Sequence, residues 1–343
     1  MSPAPASSPD RAVTAHDPRV SELDEGEILR RILSRLGEAS GALVGPGDDA
    51  AVIAAPDGRV VVTTDTLVQG PDFRLAWSAP FDIGWKAAAV NLADVAAMGA
   101  RPTGLVVALA VPPALPVSLV EGIAEGLRAA CDAMAPGCSV VGGDLTASDT
   151  LTVAVTAFGS LDGIAPVLRS GARPGDTLAV CGGALGTAAR GLAVLFERGV
   201  DASGHPIPLD ASLLSAADAE ALAVQLRPTP PLAAGIEAAR AGATAMMDIS
   251  DGLALDASRI AAMSGVSVDI FSATLGPNSA WALGGGEDHG LLATFPAAVP
   301  LPDGFRAIGR VLPAGGEAVR IDGRAWDGRP GWDPYRDWDE RLG

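Results

Sequence analysis

The stretch GPGDDAAV, residues 45–52, sets two adjacent carboxylates, Asp48 and Asp49, between a Gly-Pro-Gly turn and an apolar run. Proline fixes φ and glycine permits tight backbone, so the pair is pinned at a defined bend. Side by side, two like charges repel, and that cost is tolerated where a cation bridges them. The turn therefore reads as a holder of hard metal ions onto which other acidic loops converge. An acid beside glycine at the end of an apolar strand recurs along the chain, and this recurrence sets the fold class as α/β.

Before the turn, residues 22–36 carry Ile28, Leu29, Ile32, Leu33 and Leu36 at helical spacing. After it, residues 51–55 and 59–64 read as two strands joined by the turn Pro56-Asp57-Gly58, the second running into Thr63-Thr64-Asp65-Thr66. Those hydroxyls and the carboxylate are oxygen donors of the kind Mg²⁺ accepts. Residues 82–98 read as a helix in which Asn91 and Asp94 share a face, so Asp94 is either a solvated group or a ligand aimed inward. Strands are expected at 104–111, 139–141 and 151–159, with a helix at 117–133. The strand at 139–141 ends in Gly142-Gly143-Asp144. Ligands of open α/β sheets gather at strand ends, which suits acids placed there.

The second half repeats the alternation. Strands are expected at 177–181, 243–247, 266–271, 291–295 and 306–311, and helices at 188–198, 216–225, 232–241 and 253–263. The loop Gly182-Gly183-Ala184-Leu185-Gly186-Thr187 lacks the dinucleotide spacing, and close helix–strand packing is the better reason for its glycines. Asp248-Ile249-Ser250-Asp251-Gly252 puts two more acids between strand and helix; Ser250 or Asp251 could cap that helix, but a cap does not explain Asp248. The boundary falls near Gly163, giving a disordered segment over 1–20 and domains over 21–162 and 163–343.

Of the 343 residues, 48% are hydrophobic and 4% aromatic, so the cores are built from Ala, Val and Leu. No apolar run approaches the roughly 20 residues of a membrane span, and no apolar signal core is found, so the cytoplasm is the expected compartment. A formal net charge of −17 argues against nucleic acid as a partner, whereas bound cations let an acidic chain accept a phosphate substrate. Cys131, Cys138 and Cys181 read as reduced thiols. His289 is one of three histidines, and no Ser-His-Asp or Cys-His arrangement can be built.

Collected, the acidic loops hold Asp48/Asp49, Asp65, Asp94, Asp144, Asp248/Asp251 and Glu287/Asp288. Carboxylates with scarce His and no Cys donors select Mg²⁺ over Zn²⁺. Several such ions held together suit nucleotide phosphate chemistry, yet the chain has neither a Walker loop nor the protein-kinase signatures.

Seven motifs in order carry a resemblance: GPGDDA (45–50), TTDTLVQG (63–70), KAAAVNLADVAAMGA (86–100), GGD (142–144), RSG (169–171), DISDG (248–252) and GGED (285–288). Over residues 22–335 the sequence resembles the thiamine-monophosphate kinases. Their superfamily also holds aminoimidazole ribonucleotide synthetase, selenophosphate synthetase and a hydrogenase maturation protein. The resemblance implies direct transfer of the ATP γ-phosphoryl group to thiamine monophosphate. It implies Mg²⁺ on Asp48, Thr63, Thr64, Asp65, Asp94, Asp144, Asp248 and Asp251, and ATP on Gly143, Asp144, Arg169 and Ser250. Of these, Asp48, Asp65, Asp94, Asp144 and Asp251 would carry catalysis. Glu287 and Trp332 would contact thiamine. It also implies a two-domain α/β fold whose N-terminal mixed sheet pairs with a second copy into a barrel-like homodimer core.

Two positions depart from the family. Where it commonly has a substrate-contacting histidine stands Asp72, and where it has GGEDYE this chain reads GGEDHG, with His289 and Gly290. Both bear on acceptor recognition. A related enzyme acting on another acceptor, or a metal-binding dimer without catalysis, are the competing readings. No cysteine precedes Cys131, which disfavours selenophosphate synthesis, and DISDG and GGED disfavour aminoimidazole ribonucleotide synthesis.

Overall fold

The computed structural model describes residues 17–46, 50–276, 279–328 and 331–332; the expectations for Asp48, Asp49 and residues 1–16 lie outside the described residues. In chain order come α1 (Glu25–Leu36), β1 (Ala42–Val44), β2 (Val52–Ile53), β3 (Val61–Val68), α2 (Pro80–Ala97), β4 (Arg101–Val111), α3 (Val117–Met134), β5 (Val140–Ala147) and β6 (Thr152–Ser160). Then follow β7 (Thr177–Cys181), α4 (Thr187–Arg198), α5 (Ala216–Leu226), α6 (Leu232–Arg240), β8 (Ala245–Asp248), α7 (Leu253–Ser264), β9 (Val266–Ile270), α8 (Ser279–Gly284), β10 (Leu291–Phe295), β11 (Phe305–Pro313), β12 (Val319–Ile321) and β13 (Arg324–Ala325).

Helix α2 is the hub. Pro80 starts it, Asp82 accepts the Ala79 N–H at 3.0 Å, and Gly99 at φ 74° ends it. Only Pro80, Phe81, Trp85 and Asp94 of its residues escape full burial, because other elements cover it all round. It packs on α3, on β3, β4 and β6, and on α6 and β8 of the second half. Small residues allow this: a methyl group at Gly84 would run into the Ile123 carbonyl, and one at Gly126 into that of Phe81.

Beneath α2 and α3 lies a four-stranded sheet of order β3-β6-β4-β5, antiparallel except for the β4–β5 pair. Alternate residues face the helices, and Val107, Leu109, Val153, Val155 and Ala157 form that core. The opposite face is open: Val62 is 60% exposed, Ala108 and Asp144 are exposed, and Phe158 is half-buried. The second sheet has order β13-β12-β9-β11-β7-β10-β8. Its strands feed two cores by period-two alternation: Leu178, Val180, Met247 and Leu292 on one face, Ala179, Cys181, Met246 and Leu291 on the other.

The mixed α/β fold class is as expected, with local corrections. TTDT lies inside β3, which continues to Val68, rather than at a strand end. Residues 51–55 and 59–64 do not form a hairpin, because β2 pairs with β1 while β3 pairs with β6. Gly142-Gly143-Asp144 belong to β5, which runs on because β4 supplies parallel partners from Val106 to Val111. Gly143 sits where a methyl group would strike the Val107 carbonyl, so glycine is required within the strand. The sequence reading missed β1, α8, β12 and β13, which are too short for a clear period. All three cysteines are free and buried.

Candidate active site

Strand β3 and helix α2 build the first wall. Thr63, Asp65 and Leu67 point toward α2, and helical spacing brings Asn91 and Asp94 to meet them. The Thr63 hydroxyl donates to Asp94 Oδ2 at 2.8 Å, and Asn91 Oδ1 accepts the Asp65 N–H at 3.0 Å. Asn91 is itself fixed by donating from Nδ2 to the Ala87 carbonyl at 2.9 Å. Asp94 is therefore aimed inward. Burial, then Asp248 and Asp65, push its pKa up to about 7 although Thr63 opposes them. Asp65 is more open to solvent, yet partial desolvation, followed by Asp248, Asp251 and Asp72, also raises its pKa.

The second wall is made where β8 and β10 meet. Leu291 pairs with Asp248, so the loop leaving β8 and the loop entering β10 run side by side. Backbone bonds zip them: Ile249 N to Gly290 O at 2.8 Å, His289 N to Ile249 O at 2.8 Å, Glu287 N to Ser250 O at 2.7 Å. Glu287 and His289 hold φ of 69° and 47°, sparsely populated for side-chain-bearing residues, and the zipped backbone enforces that strain. DISDG and GGED, 33 residues apart in sequence, thus become one surface.

On that surface the buried Asp248 faces His289, with Nδ1 3.4 Å from Oδ2. Burial disfavours the His289 cation, but Asp248 and Glu287 outweigh it and hold its pKa above the ordinary value. Glu287 pairs with the buried Lys86 of α2. Burial works against the Glu287 anion, yet Lys86 and His289 prevail and keep its pKa low. Asp251 bonds Arg259 Nη1 at 2.6 Å.

A cavity of about 710 Å³ opens between the walls, bordered by Asp72, Lys86, Ser250, Asp251, Glu287 and Trp332. That is the size of a small-molecule site. Trp77, Trp281, Trp326 and Trp332 also line it, so an aromatic-poor chain has concentrated its indoles there. Asp72 is tied to its own turn, accepting the Val68 N–H at 2.7 Å. Burial, with Glu287, raises its pKa against that bond and Lys86. The Trp332 N–H donates to the Asp251 carbonyl at 2.9 Å, which fastens Trp332 beside the cavity. A smaller cleft of about 180 Å³ brings Arg169 together with Thr63, Asp94 and Asp248.

Thr63, Asp65, Asp94, Asp248 and Asp251 thus approach one another, joined by Arg169, while Asp72, Ser250, Glu287 and Trp332 border the adjoining cavity. The Thr64 hydroxyl points to the other face of its sheet and donates to the Val155 carbonyl at 2.9 Å. Gly143 and Asp144 stand on the far edge strand; Asp144 shares a row with Thr66 through Ala108 and Ala154, three strand spacings or roughly 14 Å away. Among the described residues no three His, Cys, Asp or Glu side chains are already gathered about one point. The donors are nonetheless all oxygen, and burial, followed by repulsion from neighbouring acids, has raised the pKa of Asp65 and Asp94, a cost that a hard divalent cation would relieve.

Asp256 and the role of Lys86 escaped the sequence reading, whereas Asp288, collected there with the acidic loops, serves a helix start instead. Asp256 accepts the Asp251 and Gly252 N–H groups at 3.2 Å and bonds Arg259, which fixes the turn into α7, and neither Ser250 nor Asp251 caps that helix. Burial, then Asp248 and Asp251, push Asp256 up to about 7. Asp288 turns from the cavity and accepts the Gly186 N–H at 2.6 Å and the Ala188 N–H at 3.3 Å, so its carboxylate already occupies donors at the start of α4. Burial raises it to about 6. The spacing of Asp256 from Asp251 and Arg259 was readable as a helix-start pattern; the Lys86–Glu287 pair, 201 positions apart, left no local signal.

Comparisons with known proteins place the chain among relatives. The family model described as AIR synthase related protein, N-terminal domain, matches residues 47–161. A thiamine-monophosphate kinase of Mycobacterium tuberculosis (strain ATCC 25618 / H37Rv) is 40% identical over 347 residues, covering 97% of this chain and 98% of that protein. The crystal structure of thiamine-monophosphate kinase from Stenotrophomonas maltophilia K279a is similar at 34% identity and TM-score 0.72, covering 89% of this chain and 98% of that one. AaThiL complexed with AMPPCP and TMP is similar at 31% identity and TM-score 0.67, covering 92% and 98%. The chain belongs to the thiamine-monophosphate kinase family.

Proposed function

We propose that the protein transfers the γ-phosphoryl group of ATP to thiamine monophosphate, giving thiamine diphosphate and ADP. The observation that carries this reading is the junction of an all-oxygen acid cluster with an aromatic-walled cavity that holds Asp72, Glu287 and Trp332. The family relatives and the AMPPCP and TMP complex of AaThiL support it.

An oxygen of the acceptor phosphate attacks the γ-phosphorus in line, and the bond to the ADP oxygen breaks. The acceptor is already an anion, so no strong general base is required, and positioning with charge neutralisation carries the rate. Thr63, Asp65, Asp94, Asp248 and Asp251 would hold Mg²⁺, with Asp48 and Asp144 joining them, while the Thr64 hydroxyl, turned to the other face of its sheet, would stay outside this set. When bound, Mg²⁺ screens the phosphate charges and orients their oxygens. Arg169 supplies a fixed cation to the triphosphate, with Ser250 and Gly143 as further ATP contacts. Glu287 and the indole of Trp332 suit the cationic thiazolium of the acceptor. His289 and Lys86 hold the carboxylates of the second wall in place.

We also read the chain as two domains divided near Gly163, consistent with the four-stranded sheet ending at Ser160 and the larger one starting at Thr177. The open face of the smaller sheet supports a homodimer closed by a second copy. Laying the β5 edge of one copy against the β3 edge of the other would bring Asp144 within one strand spacing of TTDT, on the sheet face of Thr64 and Thr66. Among the described residues no helix is long and apolar enough to cross a membrane, and we take the cytoplasm as the compartment.

The test is a titration of thiamine monophosphate with ATP and Mg²⁺, following thiamine diphosphate and ADP together. Stoichiometric formation of both is expected. ADP formed equally well without thiamine monophosphate, or with another phosphate acceptor preferred, would remove this acceptor.

A further inference from the structure

Asp251 is held at three of its atoms. Its amide donates to Asp256 Oδ2 at 3.2 Å, its carbonyl accepts the Trp332 N–H at 2.9 Å, and its Oδ2 accepts from Arg259 Nη1 at 2.6 Å. Asp256 and Arg259 stand three apart on one face of α7. Nη1 serves two carboxylates at once, because Asp256 Oδ1 also lies 2.6 Å from it. The Asp256 side chain is fully buried, so that end of the bridge is locked, whereas the side chains of Arg259 and Asp251 are 36% and 28% exposed. Charge-assisted bonds of this kind are roughly twice as strong as neutral ones. Among the described residues no hydrogen bond engages the other oxygen of Asp251, Oδ1. Asp251 borders the large cavity, and its charge reaches Asp65 of the first wall, whose pKa it helps to raise after burial and Asp248.

A carboxylate that ligates a cation has to present an oxygen from a fixed angle, and partners outside the coordination shell supply that angle. We propose that Arg259 is a positioning residue for metal binding: it clamps Oδ2 of Asp251 against the buried Asp256, so that Oδ1 is the oxygen offered to a divalent cation. This rests on the proposed function, in which Asp251 holds Mg²⁺. The pair with Asp256 would by itself steady the first turns of α7; the second bond, to Asp251, is one that the helix does not require. A mere counter-charge predicts the opposite sign. A guanidinium beside an acid cluster repels an incoming cation, so removing it would tighten metal binding on Coulomb grounds, whereas removing a clamp loosens it.

The experiment compares the full-length protein with its Arg259→Gln, Arg259→Lys and Asp251→Asn variants. Each holds a non-hydrolysable ATP analogue, and Mn²⁺ uptake beyond that of the analogue alone is followed by the fading of the free-ion EPR signal. Arg259→Gln should weaken Mn²⁺ binding roughly 10- to 100-fold, as loss of an outer-shell partner does. The Mg²⁺ concentration for half-maximal rate should rise in step, with kcat at saturating Mg²⁺ within about threefold of the unsubstituted protein. Arg259→Lys keeps the charge on one swivelling nitrogen and should weaken binding less, by about threefold or more; it serves alone if Arg259→Gln does not fold. Unchanged or tighter Mn²⁺ binding in Arg259→Gln, or in Arg259→Lys where it stands alone, overturns the positioning role whatever the melting temperature. If Asp251→Asn leaves uptake unchanged, or the unsubstituted protein takes up none, Asp251 is not a ligand and the role of Arg259 falls with it. Thiamine diphosphate formed by the unsubstituted protein is read separately and decides the activity.

Discussion

At the scale of single residues, the decisive feature is that Asp65 and Asp94 are held near each other by neighbours with no charge of their own. Thr63 and Asn91 fix the two acids through one hydrogen bond each, so the cluster exists before any cation arrives. Asp65→Asn should lower kcat by about 10²- to 10³-fold, the loss seen when one preorganised electrostatic contact to a reacting centre is removed. Its melting temperature without metal should stay level or rise, because a repelled carboxylate is gone. Steady-state kinetics beside a thermal melt checks both, and an unchanged kcat removes Asp65 from the cluster. The raised acids also set a pH dependence. Asp94 and Asp256 titrate at about 7 and Asp288 at about 6, against 3.8 for a free aspartate. The folded state therefore binds these protons more tightly than the unfolded one. Their stabilising contribution is complete below about pH 4 and is lost as pH rises through 6 to 7. Mg²⁺ favours the ionised forms, so its increment in melting temperature should be larger at pH 8 than at pH 5; equal increments would contradict the cluster as a metal site.

Among elements, α2 matters most, since it carries Lys86, Asn91 and Asp94 while touching both sheets. Its fit against α3 depends on Gly84 and Gly126, each facing a backbone carbonyl of the opposing helix. Gly84→Ala should destabilise by about 1–3 kcal/mol, as overpacking does, because a carbonyl cannot rotate aside as a side chain can. A denaturant midpoint shows the loss, and an unaltered midpoint would mean that the helices separate freely. Activity should fall further than stability, since a shift of α2 moves Asp94 from Thr63. In the other wall, the two positive-φ residues Glu287 and His289 are borne by backbone bonds to Ile249 and Ser250. The element there is the zipped pair of loops, not either motif alone.

For the whole molecule, the separation of Asp144 from the acid cluster by three strand spacings is the observation to explain. If a second copy closes that distance, each site takes Asp65 from one subunit and Asp144 from the other. Mixing Asp65→Asn with Asp144→Asn subunits, each inactive alone, should then restore activity, because the mixed dimer has one site with both aspartates intact. Assay of the mixture after subunit exchange reads this directly. No recovery, with mixed dimers demonstrated, would assign both aspartates to a single chain.

The sequence by itself determined the α/β class and most elements to within a few residues, and it singled out the candidate acids, since period and glycine punctuation are local properties. It also paired Asn91 with Asp94, because one helical face is fixed by spacing. Tertiary structure alone decided that TTDT lies within a strand, that Gly143 and Asp144 sit on the far edge of its sheet, and that DISDG and GGED form a single surface. It alone paired Lys86 with Glu287 and brought the Arg74 guanidinium against the Trp77 and Phe196 rings. Strand order and long-range contact depend on which surfaces bury one another, and a one-dimensional pattern does not encode that choice locally.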